Sequence, residues 1–175
     1  MKKTVPMDER GIGVIGVILL IPLLLVMAVI AWVVFAETRK SYWDSKVEIL
    51  CKLDGGIRVF ERVQLDARYL DADKNIRIPA KRNIHDGPPF KWEAKSGDLF
   101  FYEIKTAVIR DNNPRVAKNI VELFRSQDGR LLGHVVTYGR VGGDSFTIDF
   151  PSRKYCPENL GESNLFKAVF VVQQK

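Results

Sequence analysis

A chain of 175 residues has room for one compact domain and an appendage. Its 46% hydrophobic and 27% charged residues exclude disorder for most of the chain, and no low-complexity tract or solenoid-length repeat is present. The net charge of +6 suits an anionic surface, yet basic runs such as Arg39-Lys40 and Lys81-Arg82 are only two residues long, too short to point to nucleic acid.

Residues 1–10 read as a short cytoplasmic tail. Gly11 to Ala36, "GIGVIGVILLIPLLLVMAVIAWVVFA", carries no charge over 26 residues. As a helix rising about 1.5 Å per residue it outreaches a hydrocarbon core of roughly 30 Å. A secretory signal core has only about 7 to 15 apolar residues. Val34-Phe35-Ala36 looks like a signal-peptidase triplet, but length outweighs it and predicts an uncleaved transmembrane helix over 11–36. Trp32, Phe35, Tyr42 and Trp43 gather at its C-terminal end, as aromatic residues do at a membrane interface. Pro22 is tolerable in such a helix. Flanking charge is tied, with Lys2, Lys3 and Arg10 against Arg39, Lys40 and Lys46. The short Met-Lys-Lys tail and the long downstream domain favour an N-inside signal-anchor. Glycines 11, 13 and 16 miss the four-residue spacing of a helix-dimer motif, so no oligomeric state follows.

Residues 37–56 read as a juxtamembrane helical linker. Within "TRKSYWDSKVEILCKL" (38–53), Trp43, Val47, Leu50 and Cys51 share one helical face. An alternation of Val47, Ile49, Cys51 and Leu53 offers a strand instead, turned by "DGG"; the helix is favoured, with Gly55 as its left-handed terminator. The β-rich domain is then 57–175. "IRVFERVQL" (57–65) alternates as a strand. Residues 66–98 are irregular, a long loop that invites a binding role. "LFFYEIKTAVIR" (99–110) puts Phe100, Tyr102, Ile104 and Val108 on one face. "VAKNIVELFRS" and "LLGHVVTYGR" flank "QDGR" (127–130), the clearest hairpin signal. "RVGGD" (140–144) is a further turn, and "SFTIDF" and "NLFKAVFVVQ" (164–173) read as two last strands. The fold class expected is α+β: one transmembrane helix, then a mostly antiparallel sheet of six strands with the helix against one face.

Few residues offer chemistry. His85 and His134 lie far apart, and no Cys or His pair has metal-ligand spacing. No nucleophile elbow, phosphate loop or dinucleotide fingerprint occurs, so no catalytic, metal or cofactor residue is assigned. Asp54, Asp128 and Asp144 precede glycines, as turn-forming aspartates do. Arg140 and Asp144 form the one constellation with promise, a glycine-rich turn with an arginine for an anionic group; a turn with a surface ion pair is the plainer reading. Cys51 and Cys156 are the only cysteines. Outside the cytoplasm an even pair implies a disulfide, with Cys156 in a short polar loop, "SRKYCPEN".

"CKLDGGIRVFERV", "FRSQDGRLLG", "YGRVGGD" and "YCP" together resemble small, uncharacterised, membrane-anchored or exported proteins of proteobacteria. That resemblance implies a periplasmic domain on the bacterial inner membrane and paired cysteines; it carries no activity. The function expected is that of a membrane-anchored envelope protein, a binding module whose partners are the lipid bilayer and another envelope protein. One alternative is a tethered enzyme with its site near the 66–98 loop. Another is a cytoplasm-facing basic domain on nucleic acid.

Overall fold

The computed structural model describes residues 9–81, 97–145 and 150–172. Its first element, α1 (Glu9–Asp54), is one unbroken α-helix of 46 residues, about 69 Å long. That is more than twice the roughly 30 Å of a hydrocarbon core, so the helix belongs to two environments. Its apolar part has a mean hydropathy of 2.9 over 18 residues, of which 6% are buried. It is long and apolar enough to cross a membrane. The segment 38–53 continues the same helix, as its apolar spacing predicts. Gly56, at φ +112°, takes the left-handed turn that ends the helix, in place of Gly55. Gly55 is required for another reason: a Cβ there would stand 2.6 Å from the Cys51 carbonyl oxygen and 2.9 Å from its sulfur.

The run 57–65 is two strands, β1 (Gly56–Val59) and β2 (Val63–Leu65), broken where Phe60 and Glu61 both donate backbone N–H groups to the Leu132 carbonyl. A single 3-10 turn covers Ala67–Tyr69. Then come β3 (Phe100–Arg110), β4 (Arg115–Arg125), β5 (Leu131–Val141) and β6 (Arg153–Cys156). The chain closes with α2 (Glu162–Val169) and β7 (Phe170–Val172). The main sheet is antiparallel in the order β1-β5-β4-β3, with β6 beside the lower half of β5. The β4–β5 hairpin turns through Gly129 at φ +65°, as the Asp-Gly signal predicts. A second sheet pairs β2 with β7 in parallel.

One expected strand and one expected loop differ. "NLFKAVFVVQ" is mostly the helix α2, because Leu165, Phe166, Val169 and Phe170 recur at helical spacing and all are buried. The Asn164 side-chain oxygen caps its start by accepting from the Gly161 N–H at 3.2 Å. "SRKYCPEN" contributes β6, so Cys156 ends a strand that pairs with Tyr138. Most of "SFTIDF" lies outside the described residues.

Alternation on β4 and β5 makes both faces of the sheet apolar. Toward α1 point Val116, Ile120, Val136 and Tyr138, which pack on Val47 and Cys51. Toward α2 point Val121, Leu123 and Val135, which join Leu165, Phe166 and Val169. Gly133 lets α2 approach closely: a Cβ there would meet Val169 at 3.0 Å and Leu165 at 3.2 Å. The domain is therefore a sheet between two helices, and the outer half of α1 is one of its layers.

Candidate functional site

One stripe of α1 is covered by the domain, and it is polar as well as apolar. Lys40 Nζ reaches Asp144 at 2.7 Å, Asp44 accepts from Arg140, and Glu48 accepts from Lys154. Asp54 accepts from Lys118 at 2.5 Å and from the Tyr138 hydroxyl at 2.5 Å. Positions 40, 44, 48 and 54 follow the helical repeat, so all four reach one side. Within this stripe Cys51 is bonded to Cys156, with Cα atoms 5.8 Å apart. The last turns of α1 are thus joined covalently to β6.

Arg140 is 2% exposed. Its Nε serves Asp44, and one terminal nitrogen serves the Gly142 carbonyl and Ser152 Oγ, the latter at 3.1 Å. Asp144 accepts from Lys40 and from the Ser152 N–H at 2.7 Å. The hydrogen bond from Lys40, then that from Ser152, holds its carboxyl far below the usual carboxylate range. Arg140 and Asp144 therefore face α1 and pair with Asp44 and Lys40 and not with each other, meeting only at Ser152. Three of the five N–H donors of the Arg140 guanidinium are thus taken up by Asp44, Gly142 and Ser152 within the joint. Gly142 at φ +86° and Gly143 at φ +90° make the turn, and Asn113 Oδ1 accepts the Gly143 N–H at 2.6 Å.

At the sheet's centre the Lys118 hydrogen bond lowers the Asp54 carboxyl, helped by Tyr138; Asp54 in return raises the Lys118 ammonium. Burial first, then Asp54, pushes the Tyr138 phenol up. Of the four aromatic residues at the membrane exit, Trp32, Phe35 and Tyr42 are exposed. Trp43 turns toward the domain, where the Arg110 guanidinium lies 5.0 Å from its ring centre.

On the far side of the sheet a cleft of about 940 Å³ opens between the 68–79 segment and α2. Tyr69, Ile78, Tyr102 and Phe166 give it an apolar floor, with Arg77, Glu162 and Lys167 among its polar walls. The Tyr102 and Phe166 rings meet edge to face at 5.4 Å. Burial, then Glu162, raises the Tyr102 phenol. Asp71 organises the wall: it accepts from the Asn75 N–H at 2.7 Å, the Asp73 N–H at 3.0 Å and Arg77 Nε at 3.0 Å. Its carboxyl is held low by the Asn75 N–H first. One wall of the cleft comes from the irregular 66–98 stretch; residues 82–96, with His85, lie outside the described residues.

His134 sits on the α1 side of the sheet against Phe60, ring centres 5.5 Å apart. Burial lowers its imidazole. Among the described residues no group of three His, Cys, Asp or Glu side chains could hold a metal ion. Sequence reasoning singled out Cys51, Cys156, Arg140 and Asp144 in the joint, but missed Lys40, Asp44, Glu48, Asp54 and Lys118. The four-residue spacing of Lys40, Asp44 and Glu48 was a signal for a polar stripe; their partners lie about a hundred residues away in the chain. No protein-family model, curated protein or solved structure matches this chain.

Proposed function

We propose that this is a single-pass protein of the bacterial inner membrane, N-terminus inside, whose domain stands in the periplasm as a non-enzymatic binding module for another envelope protein. The observation that carries this reading is the joint between α1 and the sheet. A disulfide belongs to an oxidising compartment, and the bond and ion pairs make the anchor a layer of the domain. A domain held this way keeps one face toward its anchor and turns the Tyr102–Phe166 cleft away from it. The cleft combines an aromatic floor with mixed charges at the rim, the composition that suits a protein segment. The resemblance to exported proteobacterial proteins supports the same compartment.

Alkaline carbonate extraction and intact mass test the anchor: the full-length chain stays with the membrane. A soluble product beginning at Glu37 overturns it. Alkylation of native membranes without reductant, after denaturation, tests the compartment; two alkylated cysteines overturn it. Co-purification from detergent-solubilised membranes tests the binding role. Tyr102→Ala should release the bound partner, and Arg115→Ala, at the opposite end of the sheet, should retain it. Equal retention moves the binding surface elsewhere. The nucleic-acid reading demands free thiols and binding that collapses with salt. A tethered enzyme would use the same cleft, and is favoured if Tyr102→Phe abolishes a turnover without releasing a partner.

A further inference from the structure

We propose that Phe150, just ahead of β6, is a second membrane contact, seated among phospholipid headgroups beside α1. The proposal rests on the single-pass reading above, and four observations support Phe150 at that depth.

The apolar run of α1 is longer than a bilayer needs. Its 26 residues span about 39 Å, against a hydrocarbon core of roughly 30 Å. The surplus of about six residues puts Ala31 to Ala36 at headgroup depth, the level that Trp32 and Phe35 prefer.

The helix is already covered on one side at that depth. Val34 and Phe35 are 59% and 61% exposed, yet the next residue, Ala36, is 5% exposed, and Val33 is half-buried. The covered stripe of α1 thus extends past its last charges into the apolar run.

The chain leaving β5 descends along the helix as far as Ser145. A Cβ on Gly143 would lie 3.5 Å from that of Lys40, and Asp144 pairs with Lys40. Ser145 Oγ then donates to Glu37 at 3.3 Å, one residue from the end of the apolar run. On the return, the Ser152 N–H donates to Asp144 and the Ser152 carbonyl accepts from the Gly142 N–H at 2.9 Å. Gly142, Asp144 and Ser152 are therefore held together at the level of Lys40.

Phe150 is two residues from Ser152, a reach of at most about 7 Å. It is 85% exposed, more than any other large hydrophobic side chain among the described residues. A single ring is too small a surface for a stable protein interface, whereas an aromatic side chain at headgroup depth gains from partial burial in lipid. Continuity with the membrane-spanning helix selects the bilayer as its partner.

Spin-label accessibility tests this on the full chain in vesicles of phosphatidylethanolamine and phosphatidylglycerol. The native cysteines are bonded to each other and take no label. Nitroxides are placed by Phe150→Cys, by Asp128→Cys at the far end of the β4–β5 hairpin, and by Leu25→Cys within the span. The expected result is a label at 150 that favours dissolved oxygen over an aqueous nickel chelate severalfold more than the label at 128. Equal accessibility at 150 and 128, with the label at 25 shielded from nickel, overturns the second contact and leaves the single-pass reading intact. Shielding at 150 from both reagents marks a protein contact and overturns the lipid assignment. A label at 25 open to nickel refutes the span itself, and the proposal with it.

Discussion

Replacing both Cys51 and Cys156 with alanine should loosen the joint between anchor and domain by a measurable amount. The bond closes a loop with a sequence separation of 105. The chain-entropy model assigns such a loop about 5 kcal/mol, and removals of native disulfides cost about 2–5 kcal/mol in practice. Unfolding entropy for a domain of about 120 residues is near 0.25 kcal/mol/K, so Tm should fall by about 8–20 °C. The assay is thermal unfolding of the full chain in lipid nanodiscs, read by near-ultraviolet circular dichroism. Wild type with reductant should match the double variant. A Tm within 2 °C of the oxidised protein would show that the ion pairs at 40, 44, 48 and 54 hold the joint without the bond, and would refute its role as a clamp.

Three further outcomes follow from the same geometry. Arg140→Met should cost about 2–4 kcal/mol in denaturant unfolding, because Asp44, Gly142 and Ser152 lose a buried donor; Arg140→Lys should rescue little, since an ammonium cannot reproduce the fork. The depressed carboxyls of Asp54 and Asp144 contribute stability that is fully present above the unfolded-state pKa of about 4, and that is lost as pH falls toward their folded-state values. Asp144→Asn should therefore flatten the acid limb of the stability profile between about pH 4 and 2, measured by denaturant midpoint at each pH. Gly129→Val, at φ +65°, should lower stability by about 1–2 kcal/mol by thermal unfolding; an unchanged Tm would count against a left-handed residue in that turn.

Composition and spacing alone revealed the membrane helix, its extension to Asp54, the β4–β5 hairpin and the antiparallel character of the sheet. Each is a local property. A charge-free run, a helical stripe at 43, 47, 50 and 51, or an Asp-Gly between alternating segments carries its own physical cause within a few residues. The tertiary structure decided what these elements meet. "NLFKAVFVVQ" has the β-branched, aromatic composition of a strand, but its stripe at 165, 166, 169 and 170 finds a sheet face indented at Gly133, and packing there favours the helix. "IRVFERVQL" divides because β1 pairs with β5 while β2 pairs with β7. Arg140 and Asp144 stand four residues apart and look like each other's partners; the fold instead lays a helix from the far end of the chain across them, so Asp44 and Lys40 take those places. A periodicity declares which side of an element is apolar, and only the partner surface, contributed by residues distant in sequence, determines which polar groups are buried there and with what they bond.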